Sequence, residues 1–370
     1  MTNFDGNEKK SPRVEIDLEK IHGNTKRLKD FFDQRGISMM CVTKGVLGSP
    51  PIARAMVEAG VKLLADSRIE NLKRIRDAGI DASLVLIRTP SMGKVKDVVK
   101  YADISVNSEI SVIERLSLEA GNQKKIHGII LMVDLGDLRE GILPRDLGQT
   151  LLKIMPLTGV KILGIGTNLG CIGGVLPDQA KMNQLSSIAR DLEQRFNIRF
   201  DIVSGGNSAN YNWVKSAGDI GRINNLRIGE MIFTGRETVD YARVEFLETN
   251  TISLAAQVIE VKEKESLPRG TITTDAFGAV PNFADRGTIT RAIVEIGRQD
   301  VLISGLTPVG DMEILGASSD HIVIDLKKMH VQTGDEIRFH MDYGAMLSAM
   351  TSPYIEKIYL NSPHVLEQQF

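Results

Sequence analysis

The chain has 370 residues, 42% of them apolar, enough to bury more than one core and to favour two or three domains. Its 45 basic and 47 acidic residues leave a formal charge of −2, which provides no basic field for nucleic acid and no polybasic run for a membrane surface. Two cysteines, Cys41 and Cys171, exclude a disulfide framework, and no run of about 18 apolar residues marks a membrane span. Residues 1–12 are polar and mixed in charge, without the apolar stretch of a signal peptide. The expectation is a soluble, cytoplasmic protein with a frayed start and a small molecule as its partner.

In chain order, the extended segment 13–18 comes first and has no place in the repeating pattern that follows. An amphipathic helix is predicted over residues 19–34, with Ile21, Leu28, Phe31 and Phe32 on its buried side. Eight short β-type runs then alternate with helical segments, and each ends in a polar residue. Met40-Cys41-Val42-Thr43 ends at Lys44, the run 62–65 at Asp66, 83–87 at Arg88, and 104–106 at Asn107. The run 128–133 ends at Asp134, 160–167 at Asn168, 201–203 at Ser204, and 225–226 at Arg227. Several are continuously apolar, as a parallel strand covered on both faces requires. Eight β-then-α units predict an α/β fold, a (β/α)8 TIM barrel over residues 13–244, with its chemistry at the C-terminal ends of the strands.

Beyond Val244 the runs 252–262, 288–296, 321–326, 336–341 and 354–360 alternate or are β-branched, without long helices between them. They predict a second, smaller, mostly β domain over 245–370, which segment 13–18 is expected to join. No internal repeat, heptad or low-complexity tract is present.

Four features carry chemistry. Lys44, at a barrel strand's end, is a candidate Schiff-base residue whose pKa burial would lower; the other reading is an ion pair with Asp66. Ser204-Gly205-Gly206-Asn207-Ser208-Ala209 is a glycine-rich turn before a helix, suited to a phosphate, or else an ordinary turn with Ser208 as N-cap. A lysine, a barrel and such a turn together point to an aldehyde-bearing phosphate ester, pyridoxal phosphate. Arg227, at the end of strand eight, is an always-charged donor that would leave a pyridine nitrogen facing it unprotonated. Arg139, in Asp134-Leu135-Gly136-Asp137-Leu138-Arg139-Glu140-Gly141, either clamps a substrate carboxylate or pairs with Asp137 or Glu140. The six histidines show no paired ligand spacing, which argues against a metal-dependent aldolase.

These motifs, with Gly164-Ile165-Gly166-Thr167-Asn168 and Leu226-Arg227-Ile228-Gly229, occur in the order seen in fold-type III pyridoxal-phosphate enzymes, and the chain resembles the alanine racemase family. It is most similar to the ornithine racemase branch. That likeness lies in Asp66-Ser67-Arg68-Ile69-Glu70-Asn71-Leu72, Val203-Ser204-Gly205-Gly206-Asn207-Ser208, Asp275-Ala276-Phe277-Gly278 and Glu313-Ile314-Leu315-Gly316-Ala317-Ser318-Ser319-Asp320-His321.

The resemblance implies a racemase of ornithine or another basic amino acid, working by two-base Cα proton transfer. It also implies a homodimer in which one subunit's β domain completes the other's active site. It assigns the Schiff base to Lys44, the pyridine nitrogen to Arg227, and the phosphate to Ser208 and Gly229, with Ser204, Asn168, Asn207 and Tyr343 also around the cofactor. Arg139, Ser319 and Asp320 fall to the substrate. Two positions depart from the alanine racemase pattern: Gly48 stands where a phosphate-binding tyrosine is usual, and Asn168 where a histidine packs on the ring.

With Lys44 as the base on one face, Asp275 is the leading candidate for the other, and His321, Tyr343 and Cys171 are alternatives. Asp275 is expected to need a raised pKa for that work. Glu230, Asp137, Asp320 and Asp342 are candidates to receive a distal ammonium. The competing functions are an alanine or broad-specificity racemase, a fold-type III decarboxylase, and a non-catalytic pyridoxal-phosphate protein.

Overall fold

The computed structural model describes residues 11–361; the predicted frayed start, up to residue 10, lies outside them. The chain divides into two compact units, Leu18–Thr249 and a second formed by the segment up to Asp17 together with the residues from Asn250 onward. The division falls past Val244 because Val244 and Leu247 are buried. The Val244 N–H bonds the Gly235 carbonyl, and the Glu248 N–H bonds Asn24 Oδ1 at 2.8 Å, tying this stretch to the barrel unit.

The chain opens with strand β1 (Arg13–Asp17) and then enters the barrel unit through the helix Leu18–Asp33. Ile21, Leu28 and Phe32 of that helix are buried as the periodicity predicts, whereas Phe31 is only half-buried. It belongs to a lateral aromatic group, with Tyr211 at 5.2 Å and Phe246 at 5.8 Å between ring centroids and the Arg35 guanidinium 3.9 Å above its ring.

Eight parallel strands close the barrel: β2 (Ser38–Val42), β3 (Leu63–Asp66), β4 (Ser83–Leu86), β5 (Ile104–Asn107), β6 (His127–Met132), β7 (Val160–Gly166), β8 (Ile202–Ser204) and β9 (Asn225–Ile228). Each is followed by a helix, and β9 closes on β2 with Met40 opposite Arg227. The interior is filled by Met40, Val42, Ala65, Val85, Ile104, Val106, Ile130 and Met132. Residues on that face alternate with outward ones, as a pleated strand demands. The register therefore puts Arg227 on the inward face with Met40, inside a strand that runs past the two residues predicted from sequence.

The second unit is antiparallel apart from one pairing. Its strands are β10 (Ile252–Glu265), β11 (Thr288–Val294), β12 (Leu306–Pro308), β13 (Glu313–Ala317), β14 (Ile322–Asp325), β15 (Glu336–Met341) and β16 (Glu356–Leu360). They lie in the order β12-β15-β10-β11-β14-β13, and β1 runs antiparallel to β10 and parallel to β16. Three elements have no counterpart in the sequence reading: β12, β13 and the helix Tyr343–Thr351. β12 is three residues long, β13 contains Gly316, and the helix is apolar nearly all round, so none gives a clean periodic signal. No helix among the described residues is long and apolar enough to cross a membrane.

One buried polar group couples the barrel to pH. His127, 2% exposed, has its Nε2 2.8 Å from Ser105 Oγ, which also accepts the Asn107 amide at 3.0 Å. Burial pushes the imidazole down to about 4, against the opposing pull of Asp103 and the Ala102 carbonyl. The folded state thus holds a neutral ring while the unfolded chain takes up a proton below its ordinary pKa of 6.5. Stability should fall as pH drops from about 6.5 to 4, by about 3 kcal/mol from this group. Urea unfolding between these limits should show that loss, and His127→Gln should flatten it; an unchanged slope in the variant would count against the assignment.

Candidate active site

Lys44 stands at the C-terminal end of β2, where the chain breaks from the strand into a single 3-10 turn, Lys44–Val46. Its side chain is exposed, not buried as expected, because the apolar strand ends at Val42. The alternative pairing with Asp66 is also absent: no ion pair of Lys44 occurs among the described residues. Asp66 is fully buried and serves instead as a hub. It accepts Thr43 Oγ1 at 2.8 Å, the Arg68 N–H at 2.9 Å and Asn71 Nδ2 at 3.0 Å. Burial raises its pKa against these three donors and the field of Lys44.

The turn that carries Lys44 is held from its other end by Gly48. This residue has φ +58°, and a Cβ there would lie 2.8 Å from both the Cβ and the carbonyl oxygen of Asn71. A tyrosine at position 48 therefore has no room, which explains that departure from the alanine racemase pattern.

Arg227 is buried inside the barrel with only neutral partners. Its guanidinium donates to Ser204 Oγ at 2.6 Å, the Thr167 carbonyl at 2.7 Å and Asn168 Oδ1 at 3.4 Å. Ser204 Oγ in turn donates to Asn225 Oδ1 at 2.9 Å, and the Asn225 amide reaches Ser38 Oγ at 3.1 Å. Burial lowers the Arg227 pKa to about 10, with Arg139 adding to the effect and Glu140 and Cys171 opposing it. The group stays cationic at neutral pH.

The glycine turn follows β8. Gly206 has φ +146°, and a Cβ there would meet Asn210 Oδ1 at 2.2 Å, so the position takes only glycine. The N-cap of the next turn is Asn207, not Ser208: Asn207 Oδ1 accepts the Ala209 N–H at 2.8 Å, and Asn210 Oδ1 accepts the Asn207 N–H at 3.1 Å in a capping box. The Asn207 amide also donates to Asn168 Oδ1 at 3.1 Å and to the Leu169 carbonyl at 2.8 Å. Ser208 is buried, and its hydroxyl makes no hydrogen bond among the described residues. Gly229 lies against β2, where a Cβ would come within 3.0 Å of Val42 Cβ.

Arg139, on the loop after β6, holds Glu140 through two charge-assisted hydrogen bonds, one of the two pairings open from sequence. That contact raises its pKa. Cys171, on the loop after β7, is exposed, and its Sγ accepts the amides of Asn168 at 2.9 Å and Asn207 at 3.8 Å. Cys41 is the reverse, a fully buried thiol whose pKa burial raises.

In the second unit, Asp275, Ser319, Asp320 and His321 are brought together by a residue not singled out from sequence, Arg298. Its guanidinium lies 3.7 Å from Asp275 Oδ2 and 4.1 Å above the Phe277 ring, and its backbone N–H bonds the Ser318 carbonyl at 2.9 Å. Residues 318–321 form a tight turn. Asp320 Oδ1 accepts Ser318 Oγ at 3.1 Å and Ser319 Oγ at 3.2 Å, and lies 2.8 Å from His321 Nδ1. Asp275 does not have the raised pKa expected of it. The N–H groups of Ala279 and Phe277, each 2.9 Å from Oδ1, and the Arg298 charge hold it below the ordinary value. Asp342 caps the helix that begins at Tyr343, accepting the Ala345 N–H at 2.8 Å, a structural task that accounts for its carboxylate. Among the described residues no cluster of histidine, cysteine and acidic side chains suits a metal ion.

The capping assignment is testable. Asn207→Ala removes a cap and the amide's bonds to Asn168, Leu169 and Cys171, and should destabilise the protein by about 2 kcal/mol in urea unfolding. Ser208→Ala should cost less than about 0.5 kcal/mol. The reverse ranking would return the cap to Ser208.

Comparison with known proteins bears on this arrangement. Residues 16–237 match the model of the alanine racemase N-terminal domain. An ornithine racemase from Acetoanaerobium sticklandii is 41% identical over 350 residues, covering 94% of this chain and 99% of that protein. A lysine racemase from Thermotoga maritima is 39% identical over 350 residues, with 94% and 98% covered. Among solved structures, an alanine racemase from Bartonella henselae with covalently bound pyridoxal phosphate superposes with a TM-score of 0.73 at 19% identity, covering 95% of this chain and all of that one. The fold is shared across the full length, and with a matched barrel and near-full-length relatives the chain belongs to the alanine racemase family.

Proposed function

We propose that the protein is a pyridoxal-phosphate-dependent racemase of a basic amino acid, ornithine or lysine, and that it acts in the cytoplasm as a homodimer. The observation that carries this reading is the pairing of Lys44, an exposed amine at the C-terminal end of β2, with Arg227, a buried cation on the adjacent strand that has no carboxylate partner. The full-length relatives named for ornithine and lysine support the substrate class.

The residues fit the cofactor. The Gly205-Gly206 turn leaves no space for a Cβ at position 206, and the buried Ser208 hydroxyl near it is without a protein acceptor. Ser208 and Gly229 would hold the phosphate, with Ser204, Asn168 and Asn207 around the cofactor and Tyr343 contributed by the second unit of a partner subunit. Arg227 has only N–H groups to offer, so it can face a pyridine nitrogen only as a donor and keeps that nitrogen unprotonated. When bound, pyridoxal phosphate renders the Cα–H of an attached amino acid acidic.

The chain's own groups then move the proton. Lys44, unpaired and at the mouth, takes it from one face. Asp275, supplied by the second unit of a partner subunit, serves the other, with Ser319 and Asp320 of that unit beside the substrate. Its lowered pKa keeps it ionised at neutral pH and able to accept a proton, at the cost of being a weak base. His321 is the second reading for this role, because Asp320 at its Nδ1 fixes the ring orientation that a proton carrier needs. Arg139 orients the substrate carboxylate by exchanging Glu140 for it, which preserves its bidentate geometry.

Circular dichroism of the purified protein with pyridoxal phosphate should show L-ornithine or L-lysine losing optical rotation without release of carbon dioxide. Lys44→Ala should abolish both that loss and the visible absorbance of the covalently held cofactor. A wild-type protein that stays colourless, or that releases carbon dioxide, would defeat the reading. Asp275→Asn should reduce racemisation by about 100-fold or more, within the range general acid–base catalysis contributes, and leave the absorbance intact. A smaller loss than in His321→Asn would transfer the role to His321.

A further inference from the structure

Asp137 is a buried carboxylate whose bonding is incomplete. It lies on the loop after β6, two residues before Arg139, and is 2% exposed. The loop is shaped by Asp134, whose Oδ1 accepts the N–H groups of Gly136 at 2.7 Å and Leu138 at 3.3 Å. Asp137 Oδ1 receives two long bonds from backbone N–H groups on the loop after the neighbouring strand β7, Cys171 at 3.3 Å and Val175 at 3.4 Å. Its Oδ2 is buried and has no hydrogen-bond partner among the described residues. The nearby cations are committed elsewhere: Arg139 to Glu140, and Lys181 Nζ to the Leu135 carbonyl at 2.6 Å.

A buried carboxylate oxygen without a donor is costly, and the group that best relieves it is a cation carrying several N–H bonds. An alkylammonium has three. Resting on the racemase reading, we propose that Asp137 Oδ2 receives the distal ammonium of the substrate and thereby sets the preference for diamino acids. Arg139 and Asp137 then divide the substrate between them, the guanidinium at the α-carboxylate and the carboxylate at the far end of the side chain. Cys171, whose N–H meets Asp137, takes the Asn168 amide on its Sγ at 2.9 Å, and Asn168 Oδ1 meets the Arg227 guanidinium at 3.4 Å, so hydrogen bonds join this loop to the Arg227 end of the barrel. The segment that bonds Asp137 Oδ1 also packs on its backbone, where a Cβ at Gly173 would lie 2.8 Å from the Asp137 carbonyl oxygen.

The test compares L-ornithine with L-norvaline, which has the same chain length but ends in a methyl group. The wild-type protein should favour ornithine in kcat/KM. Asp137→Asn, nearly isosteric, should lower kcat/KM for ornithine on the order of 30-fold or more, the low end for loss of a buried charge partner, mainly through KM. Norvaline should change by less than about 3-fold, and the visible absorbance of the cofactor should be unaffected. Equal losses on both substrates, or none, would overturn the assignment and leave the racemase reading standing. If Asp137→Asn does not fold, the wild-type protein still decides, because turning over norvaline as well as ornithine would also overturn it. A wild-type protein that racemises none of L-ornithine, L-lysine and L-norvaline would sink both.

Discussion

A guanidinium inside a closed parallel barrel, answered by a hydroxyl, a carbonyl and an amide but by no carboxylate, is the constraint around which the mouth of this barrel is arranged. Burying a cation in low dielectric is expensive, and the surroundings of Arg227 meet that expense only in part. The partners are themselves anchored. Ser204 passes its own proton to Asn225, and Asn225 reaches back to Ser38, so the cation is seated by a chain of side chains spanning β8, β9 and β2. The rigidity of that chain fixes Asn168, and through Asn168 the capping residue Asn207 and the glycine turn. A single inward residue thus organises three loops of the rim.

The second organising group is Asp66, which plays the opposite part. It is a carboxyl group buried against the donors of Thr43, Arg68 and Asn71, and it ties the end of β2 to the start of the helix Ile69–Asp77. Lys44 is thereby held on a well-ordered turn while its amine remains exposed. The second unit shows the same economy, with Gly297 packed so closely on residues 319–320 that a Cβ would lie 2.3 Å from the Asp320 nitrogen. Arg298, the next residue, is thus delivered to Asp275.

Much of the barrel was readable in the order of residues, because its strands are short apolar runs closed by a polar residue, and both signals survive without structure. Lys44 was readable for that reason. The last strand was not: Asn225 and Arg227 are polar yet face inward, so a pattern that equates burial with apolarity stops the strand at Leu226. The cap at Asn207 was missed because Asn207 and Ser208 are both good N-cap residues and only coordinates show which carbonyl and N–H groups they meet. Arg298 gave no signal, since its role depends on the approach of β11's end to the turn after β13. The pKa of Asp275 was misjudged because two backbone N–H groups, invisible in a list of side chains, dominate it.

Gly48 shows how such an arrangement shapes what the protein can become. Its backbone presses on Asn71, so a side chain at position 48 is tolerated only if position 71 shrinks or the helix bearing it withdraws. The two sites form an epistatic pair: an aromatic side chain cannot be gained at position 48 by one substitution in a lineage that holds Asn71 in its hydrogen bond to Asp66.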